Sequence, residues 1–367
     1  MNRAVRILLI IVGVLAVLAL VLFAGGMAVA RSPFPDTDGE KALDLPAACE
    51  TAGEGEEAAL CVALTGHGLT APVHIYRDEH GIANIYAENA ADLFFAQGYV
   101  HAQDRMWQME FWRHIAMGRV SEIVGEPGLE NDKFIRTSGW NRIAAANLAY
   151  YEQELPEAMA TLEAYSAGVN AYLVENKGDI AISQRILGLV GEPWTIEPWE
   201  PIHSIGWGVV MGWDLGGNWE DELTRARLYA AIGQEATDEL VPGYPYDTRP
   251  VIAPTGLLVS AANTTSGASP AVAAVDWTQV STQLIGQPPA ALGDGPFLGS
   301  NNWVVSGEHT AAGLPLLAND PHLGIQMPSI WYQVGLHAPG WDVTGFSFAG
   351  IPGVIIGHND RIAMRSL

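Results

Sequence analysis

The hydrophobic period of this chain changes at one chemically odd place. From about Ala90 to Ile232 apolar residues recur at spacings of three and four, and beyond Ser300 the reading becomes all strand. Between the two, Pro250 to Gly299 carries only Asp276 and Asp294 as charges, amid Ala, Pro, Gly, Ser and Thr. That is linker chemistry. The join is Gly299-Ser300-Asn301-Asn302-Trp303, a polar knot that opens a Trp-Val-Val strand. Read as residues alone, Ser300 starts a strand from an Asn-capped turn.

Charge narrows the function classes. With 18 basic against 41 acidic residues the net charge is −23, so nucleic acid, whose phosphates need Lys/Arg patches, is excluded as a partner. A hydrophobic content of 49% is ample for a buried core. Ile7 to Ala30 carry no charge and follow Arg3 and Arg6; as a helix the run would span about 36 Å, enough to cross a bilayer. The expectation is that residues 1–30 form a membrane anchor, or a signal segment cleaved after Ala28-Val29-Ala30, with the body outside the cytoplasm either way. Residues 31–72 read as a tether. Cys49 and Cys61, the only cysteines, either close a small loop in an exported chain or stay unpaired.

Val73 to Ile85 alternates around a Gly-containing turn and predicts a hairpin. The first helix follows from about Ala90, with Leu93, Gln97, Val100, Asp104, Trp107, Phe111 and Ile115 on one face. His101 and His114 lie in it as packed or surface residues, not ligands. Leu155-Pro156-Glu157 opens a second helix, whose stripe is Met159, Leu162, Tyr165, Val169, Tyr172 and Leu173. A third region runs from about His203, breaks at Gly216-Gly217-Asn218 and resumes from Trp219. Glu222 near its restart reads as a solvated first-turn carboxylate favoured by the helix dipole. After Ser300, residues 303–305 with 314–318, and 330–336 with 341–348, predict two hairpins.

Several of these stretches resemble the penicillin amidase (penicillin acylase) family of N-terminal-nucleophile hydrolases. They are Arg77-Asp78-Glu79-His80-Gly81, the run Gln97-Gly98-Tyr99-Val100-His101-Ala102-Gln103-Asp104-Arg105-Met106-Trp107-Gln108-Met109, Gly118-Arg119-Val120-Ser121-Glu122, Gly299-Ser300-Asn301-Asn302-Trp303 and Ile351-Pro352-Gly353 through Gly357-His358-Asn359. The resemblance implies an α+β fold, the first part of a four-layer α/β/β/α sandwich. On this reading 73–249 is a helical small-subunit-like region, 250–299 an excised spacer and 300–367 the start of a large subunit. The spacer also reads as a permanent linker.

The activity implied is hydrolysis of a linear acyl amide, with Ser300 as a nucleophile exposed by self-cleavage. A Ser hydroxyl needs an adjacent base, and a freed α-amine, with a pKa of about 7.7–8.0, can serve. His322, in Asn319-Asp320-Pro321-His322, matches the acyl-homoserine-lactone and cephalosporin acylases and is either an orienting imidazole or structural. Glu222 matches by position a structural calcium ligand of the family, so calcium is the implied cofactor. Where relatives continue far beyond, this chain stops at Leu367, so it reads as a truncated precursor inactive by itself. The competing readings are a non-catalytic exported binding relative and an ordinary serine or metal hydrolase. The last lacks a G-x-S-x-G elbow and an H-E-x-x-H pair.

Overall fold

The computed structural model describes residues 60–176, 196–216, 219–243 and 299–364, together with 245, 248, 276 and 277. Its contacts divide into two units, 1–212 with 286–367, and 213–285. The larger opens with β1 (Leu60–Leu64), β2 (Val73–Arg77) and β3 (Ala83–Tyr86). The long helix α1 (Ala90–Met117) leads to the short α2 (Ser121–Val124), then α3 (Leu129–Ser138), α4 (Trp140–Glu154) and α5 (Pro156–Glu175). Helix α6 (Pro201–Leu215) follows. Strands β4 (Gly299–Val305), β5 (Leu316–His322), β6 (Trp331–Ala338), β7 (Trp341–Phe348), β8 (Ile356–His358) and β9 (Ala363–Met364) complete it.

Seven strands form one sheet in the order β1-β2-β3-β6-β7-β8-β9, and β4 with β5 form a separate ribbon. The one parallel pair is β3 with β6, where Ala83 lies opposite Val334 and Tyr86 opposite His337. Strands from both sides of the low-complexity stretch thus share a sheet. Alternation puts Val73, Ile75, Ala83, Ile85, Val334 and Leu336 on one face, where they bury against Leu93, Phe94, Ala96 and Val100 of α1. Each of the Val, Ile, Leu and Phe side chains among them contributes roughly 1.5–3 kcal/mol. The chain is α+β, with the long helix α1 packed on one face of a largely antiparallel sheet.

The turn predicted between β2 and β3 closes as its residues require. Asp78 Oδ1 accepts from the amides of His80 and Ile82 while Gly81 takes a φ of 75°. Helix α1 starts at Asn89, whose side chain accepts from the Asp92 amide, and stops at Gly118 in the left-handed region. The predicted apolar face of α1 holds only for its first half. Arg105 leaves helical geometry (φ −139°, ψ 15°), and beyond it Met106, Met109 and Trp112 are buried while Trp107 and Phe111 are half-buried. The kink rotates the stripe. In α5, Leu162, Tyr165, Val169, Tyr172 and Leu173 are buried as expected.

The second unit contains α7 (Trp219–Ile232) and α8 (Gln234–Leu240). Tyr229 donates to Asp238 Oδ1 and Arg225 to the carbonyl of Val241, tying one helix to the end of the other.

The expectation of a membrane anchor is corrected. Among the described residues no helix is long and apolar enough to cross a membrane. Helix α1 has the length, but Asp92, Asp104, Arg105, Glu110 and Arg113 interrupt it, and charges of that number forbid a lipid-facing span. Residues 7–30, on which the anchor rested, lie outside the described residues. So do Cys49, and with it the disulfide, and nearly all of the 250–299 spacer.

Candidate active site

The candidate nucleophile sits at the start of a ribbon. Trp303-Val304-Val305 supplies β-formers to β4, and a turn with Gly313 at φ 69° returns the chain as β5. The register pairs Gly299 with His322, Ser300 with Pro321, Asn301 with Asp320 and Asn302 with Asn319. Ser300 is exposed, and its hydroxyl donates to the carbonyl oxygen of Gly299 at 2.7 Å. The hydroxyl is therefore held at the peptide bond that the sequence marks.

His322 is one position out of register with Ser300. Side chains alternate across a pleated ribbon, so its ring projects from the face opposite the Ser300 hydroxyl. There it meets Asp320, on the same face two residues back, with Nε2 3.0 Å from Oδ2. With the backbone intact, the two residues are neighbours along the ribbon and do not face each other.

Glu222 lies exposed on α7, in the other unit. Among the described residues no group of three His, Cys, Asp or Glu side chains is placed to hold a metal ion. Calcium asks for six to eight oxygens. The donor set found here does not fit it, and no step of the chemistry is routed through a metal.

The segment leaving β5 is anchored on α1. Arg105 donates to the carbonyl of Ser329 at 2.8 Å, and Gln108 Nε2 donates to the same oxygen at 3.1 Å. The Arg105 guanidinium also lies 5.5 Å from the centre of the Tyr332 ring. Asp104 accepts from Arg77 through both oxygens, at 2.8 and 3.0 Å, and from the Tyr332 hydroxyl at 2.5 Å. Burial, then the Asp104 charge, pushes the Tyr332 phenol well above its ordinary pKa.

Deeper in, Gln97 both donates to and accepts from the backbone of Gly353, at 2.9 and 2.8 Å. His101 lies between the Tyr165 hydroxyl (2.7 Å) and Ser347 Oγ (3.0 Å). Ser347 donates to the Tyr332 carbonyl, and the Gly350 amide donates to Tyr165. These partners fix the proton order: Tyr165 donates to Nδ1, and Nε2–H donates to Ser347. Burial, with the Arg105 charge, lowers the His101 pKa to about 3, so the ring is neutral. Of the two placements the sequence leaves open for it, packed or surface, it takes the packed one. His114 is also buried, bonded through Nδ1 to the Glu110 carbonyl oxygen.

A groove of about 700 Å³ opens elsewhere in this unit, lined among others by Phe94, Tyr151, Glu157, Ser204 and Trp341. Neither Ser300 nor His322 lines it.

A profile of the penicillin amidase family matches residues 72–364. The chain belongs to the penicillin amidase family. It is 31% identical over 296 residues to the acyl-homoserine lactone acylase QuiP of Pseudomonas aeruginosa, covering 81% of this chain and 33% of that protein. It is 35% identical over 298 residues to the penicillin acylase 2 proenzyme of a Pseudomonas species, covering 81% and 36%. The match to penicillin G acylase of Escherichia coli is 27%, covering 80% and 38%. The chain thus spans about a third of the length of the curated relatives it matches. A solved structure of thermostable penicillin G acylase from Alcaligenes faecalis is similar at a TM-score of 0.40 and 21% identity, covering 50% of this chain and 96% of that one. At that level it carries no argument.

Proposed function

We propose that this chain is part of an acylase that hydrolyses a linear acyl amide, with Ser300 as a nucleophile made by self-cleavage after Gly299. The observation that carries this reading is the Ser300 hydroxyl held 2.7 Å from the Gly299 carbonyl oxygen. Attack of Oγ on that carbonyl carbon forms an ester, breaks the bond to the Ser300 nitrogen and passes the hydroxyl proton to that nitrogen. Water then hydrolyses the ester, giving the Gly299 carboxylate, the free hydroxyl and an α-amine on the same residue. That amine is the base the hydroxyl needs. The name proenzyme carried by one relative fits a chain matured by cleavage.

His322 faces Gly299, the residue whose departure creates the amine. In the cut chain it is placed to orient that amine. The substrate class follows the relatives' names, acyl-homoserine lactones and penicillins. With His322 in the N-x-P-H context, aliphatic acyl chains are the preferred substrates over phenylacetyl. A side-by-side kcat/KM comparison favouring phenylacetyl amides would refute that preference.

N-terminal sequencing of the full-length gene product tests the main reading. A fragment beginning at Ser300, absent in Ser300→Ala, is the expected result. A fragment beginning elsewhere, or normal processing of Ser300→Ala, removes Ser300 from its role. A non-catalytic binding relative is the second reading, favoured only by the opposed faces of Ser300 and His322, and it predicts an uncut chain.

A further inference from the structure

Three helices each turn one side toward the groove of about 700 Å³. Asn147 and Tyr151 come from α4, Glu157 and Thr161 from α5, and Ser204 and Gly208 from α6. The members of each pair are four residues apart and so share a side of their helix. The volume lies within the range of small-molecule sites. Gly208 leaves the α6 wall without a side chain, and nothing lies within 4 Å of where its Cβ would be. Two aromatic rings complete the lining: Phe94 and Trp341 meet edge to face with centroids 5.0 Å apart. Phe94 is buried, but Trp341 stays 41% exposed, so a ligand entering here finds ring surface still to be covered.

The polar groups of the lining choose the ligand's charge. The Thr161 hydroxyl donates to the Glu157 carbonyl oxygen at 3.1 Å, and Ser204 Oγ accepts from Trp199 Nε1 at 3.0 Å. Both hydroxyls thus have partners within the protein. Glu157 differs: it is exposed, and among the described residues it is the one charged side chain lining the groove. Its carboxylate makes no ion pair with a described residue. An anion placed here would meet that carboxylate with no Lys, Arg or His among the described lining residues, in a chain of net charge −23. A cation would meet the carboxylate together with the Tyr151 and Trp341 rings, whose faces attract positive charge. Leu162 and Ile351, also in the lining, suit an alkyl body leaving water.

We infer that this groove is a small-molecule site for an alkylammonium ion, whose ammonium pairs with Glu157 while its chain covers the apolar wall that Gly208 leaves open. Neither Ser300 nor His322 lines the groove, so the site is separate from the proposed nucleophile and independent of it.

The test uses the whole chain labelled with ¹⁵N-tryptophan, the Trp341 indole N–H being assigned by its loss in Trp341→Phe. n-Octylammonium, 1-octanol and octanoate are titrated in separately at pH 7. The expected result is a saturable shift of the Trp341 signal with octylammonium. Octanol should bind about fivefold more weakly, the loss of one exposed charge pair, and octanoate more weakly still. Glu157→Gln should lower the octylammonium affinity about fivefold, whereas Glu163→Gln, exposed on the same helix but outside the groove, should leave it unchanged. Gly208→Leu keeps every charge and fills the groove, so it should abolish the shift. Glu157→Gln is a surface change and keeps the test open should Gly208→Leu fail to fold. The inference is overturned by no saturable shift, by equal affinity for octanol or octanoate, by an equal loss in Glu163→Gln, or by unchanged binding in folded Gly208→Leu. None of these readouts depends on a cut before Ser300, which N-terminal sequencing tests by itself.

Discussion

Substituting Gly168 by Ala tests how the helices meet. Gly98 of α1 and Gly168 of α5 face each other's backbones at the crossing of the two helices. A Cβ on Gly168 would fall 2.7 Å from the Phe95 carbonyl carbon and 3.0 Å from the Tyr99 nitrogen. On Gly98 it would fall 2.9 Å from the Tyr165 carbonyl carbon and 3.2 Å from its Cα. Ordinary carbon contacts need about 3.5–4.0 Å, so the helices must part by about 1 Å, and backbone cannot rotate away. Overpacking of this kind costs about 1–3 kcal/mol. Parting also stretches His101–Tyr165, so the upper end of that range applies. Against it stands the gain of about 0.5–1 kcal/mol from replacing Gly by Ala inside a helix. The net loss is about 2 kcal/mol, a fall in Tm of roughly 4–8 °C for a domain of this size. Gly208→Ala in α6 is the control, because nothing lies within 4 Å of its Cβ position; it should raise Tm slightly. Thermal unfolding followed by far-UV circular dichroism reads both. If Gly168→Ala raises Tm as Gly208→Ala does, the close crossing is wrong.

Three further outcomes are expected. Burial lowers the pKa of both His101 and His203 to about 3; between pH 6.5 and 3 the unfolded chain therefore binds protons the folded one refuses, and stability present at pH 7 is lost on acidification. The two rings together should cost about 2–3 kcal/mol between pH 7.0 and 5.5, and an unchanged urea midpoint over that interval would contradict their burial. Asp104→Asn strips Arg77 and Tyr332 of their shared carboxylate and should destabilise by about 3 kcal/mol, read as a lower urea midpoint that Arg77→Lys does not restore; no change would mean the pair is solvated. Ser300→Cys in the full-length gene product should still be cut before residue 300, because a thiolate can make the same acyl shift, and an uncut chain would count against attack by this side chain.

Much of this fold was legible because the chain uses local rules consistently. The Asp78–Gly81 turn, the Pro156 start of α5 and the Gly340 hairpin each announce themselves through one residue type with one backbone preference. The signature on α1 was legible as a pattern but not as a purpose. Gly98 is there for a backbone crossing, and Gln97 for a backbone 256 residues away. Neither reason exists within the segment itself. The kink at Arg105 was missed because no Pro or Gly marks it; the geometry comes from what Arg105 reaches. The parallel pairing of β3 with β6 is likewise beyond any period, since both strands read the same whichever neighbour they take. In the candidate site, Ser300 and His322 stand out by their resemblance to the family's motifs, whereas their opposed faces follow only from the register.

The position of the proposed cut gives the α1 signature a reason that catalysis does not. Cleavage before Ser300 would divide the chain between β3 and β6, yet these two strands are paired through Ala83–Tyr86 and Val334–His337. The helix that follows β3 adds side-chain ties to the same later segment. Arg105 and Gln108 hold Ser329, Asp104 holds Tyr332, His101 holds Ser347 and Gln97 holds Gly353. Five residues within twelve positions of one helix thus reach across the cut. Some of these groups are buried and bonded, and separating the fragments would expose each to the loss of its partner. Cutting the backbone removes one covalent link and leaves this set unchanged, so the fragments stay together while a new terminus appears on the open ribbon. The ion-pair and hydrogen-bond pattern of the helix would thus hold the two fragments of a cut chain together.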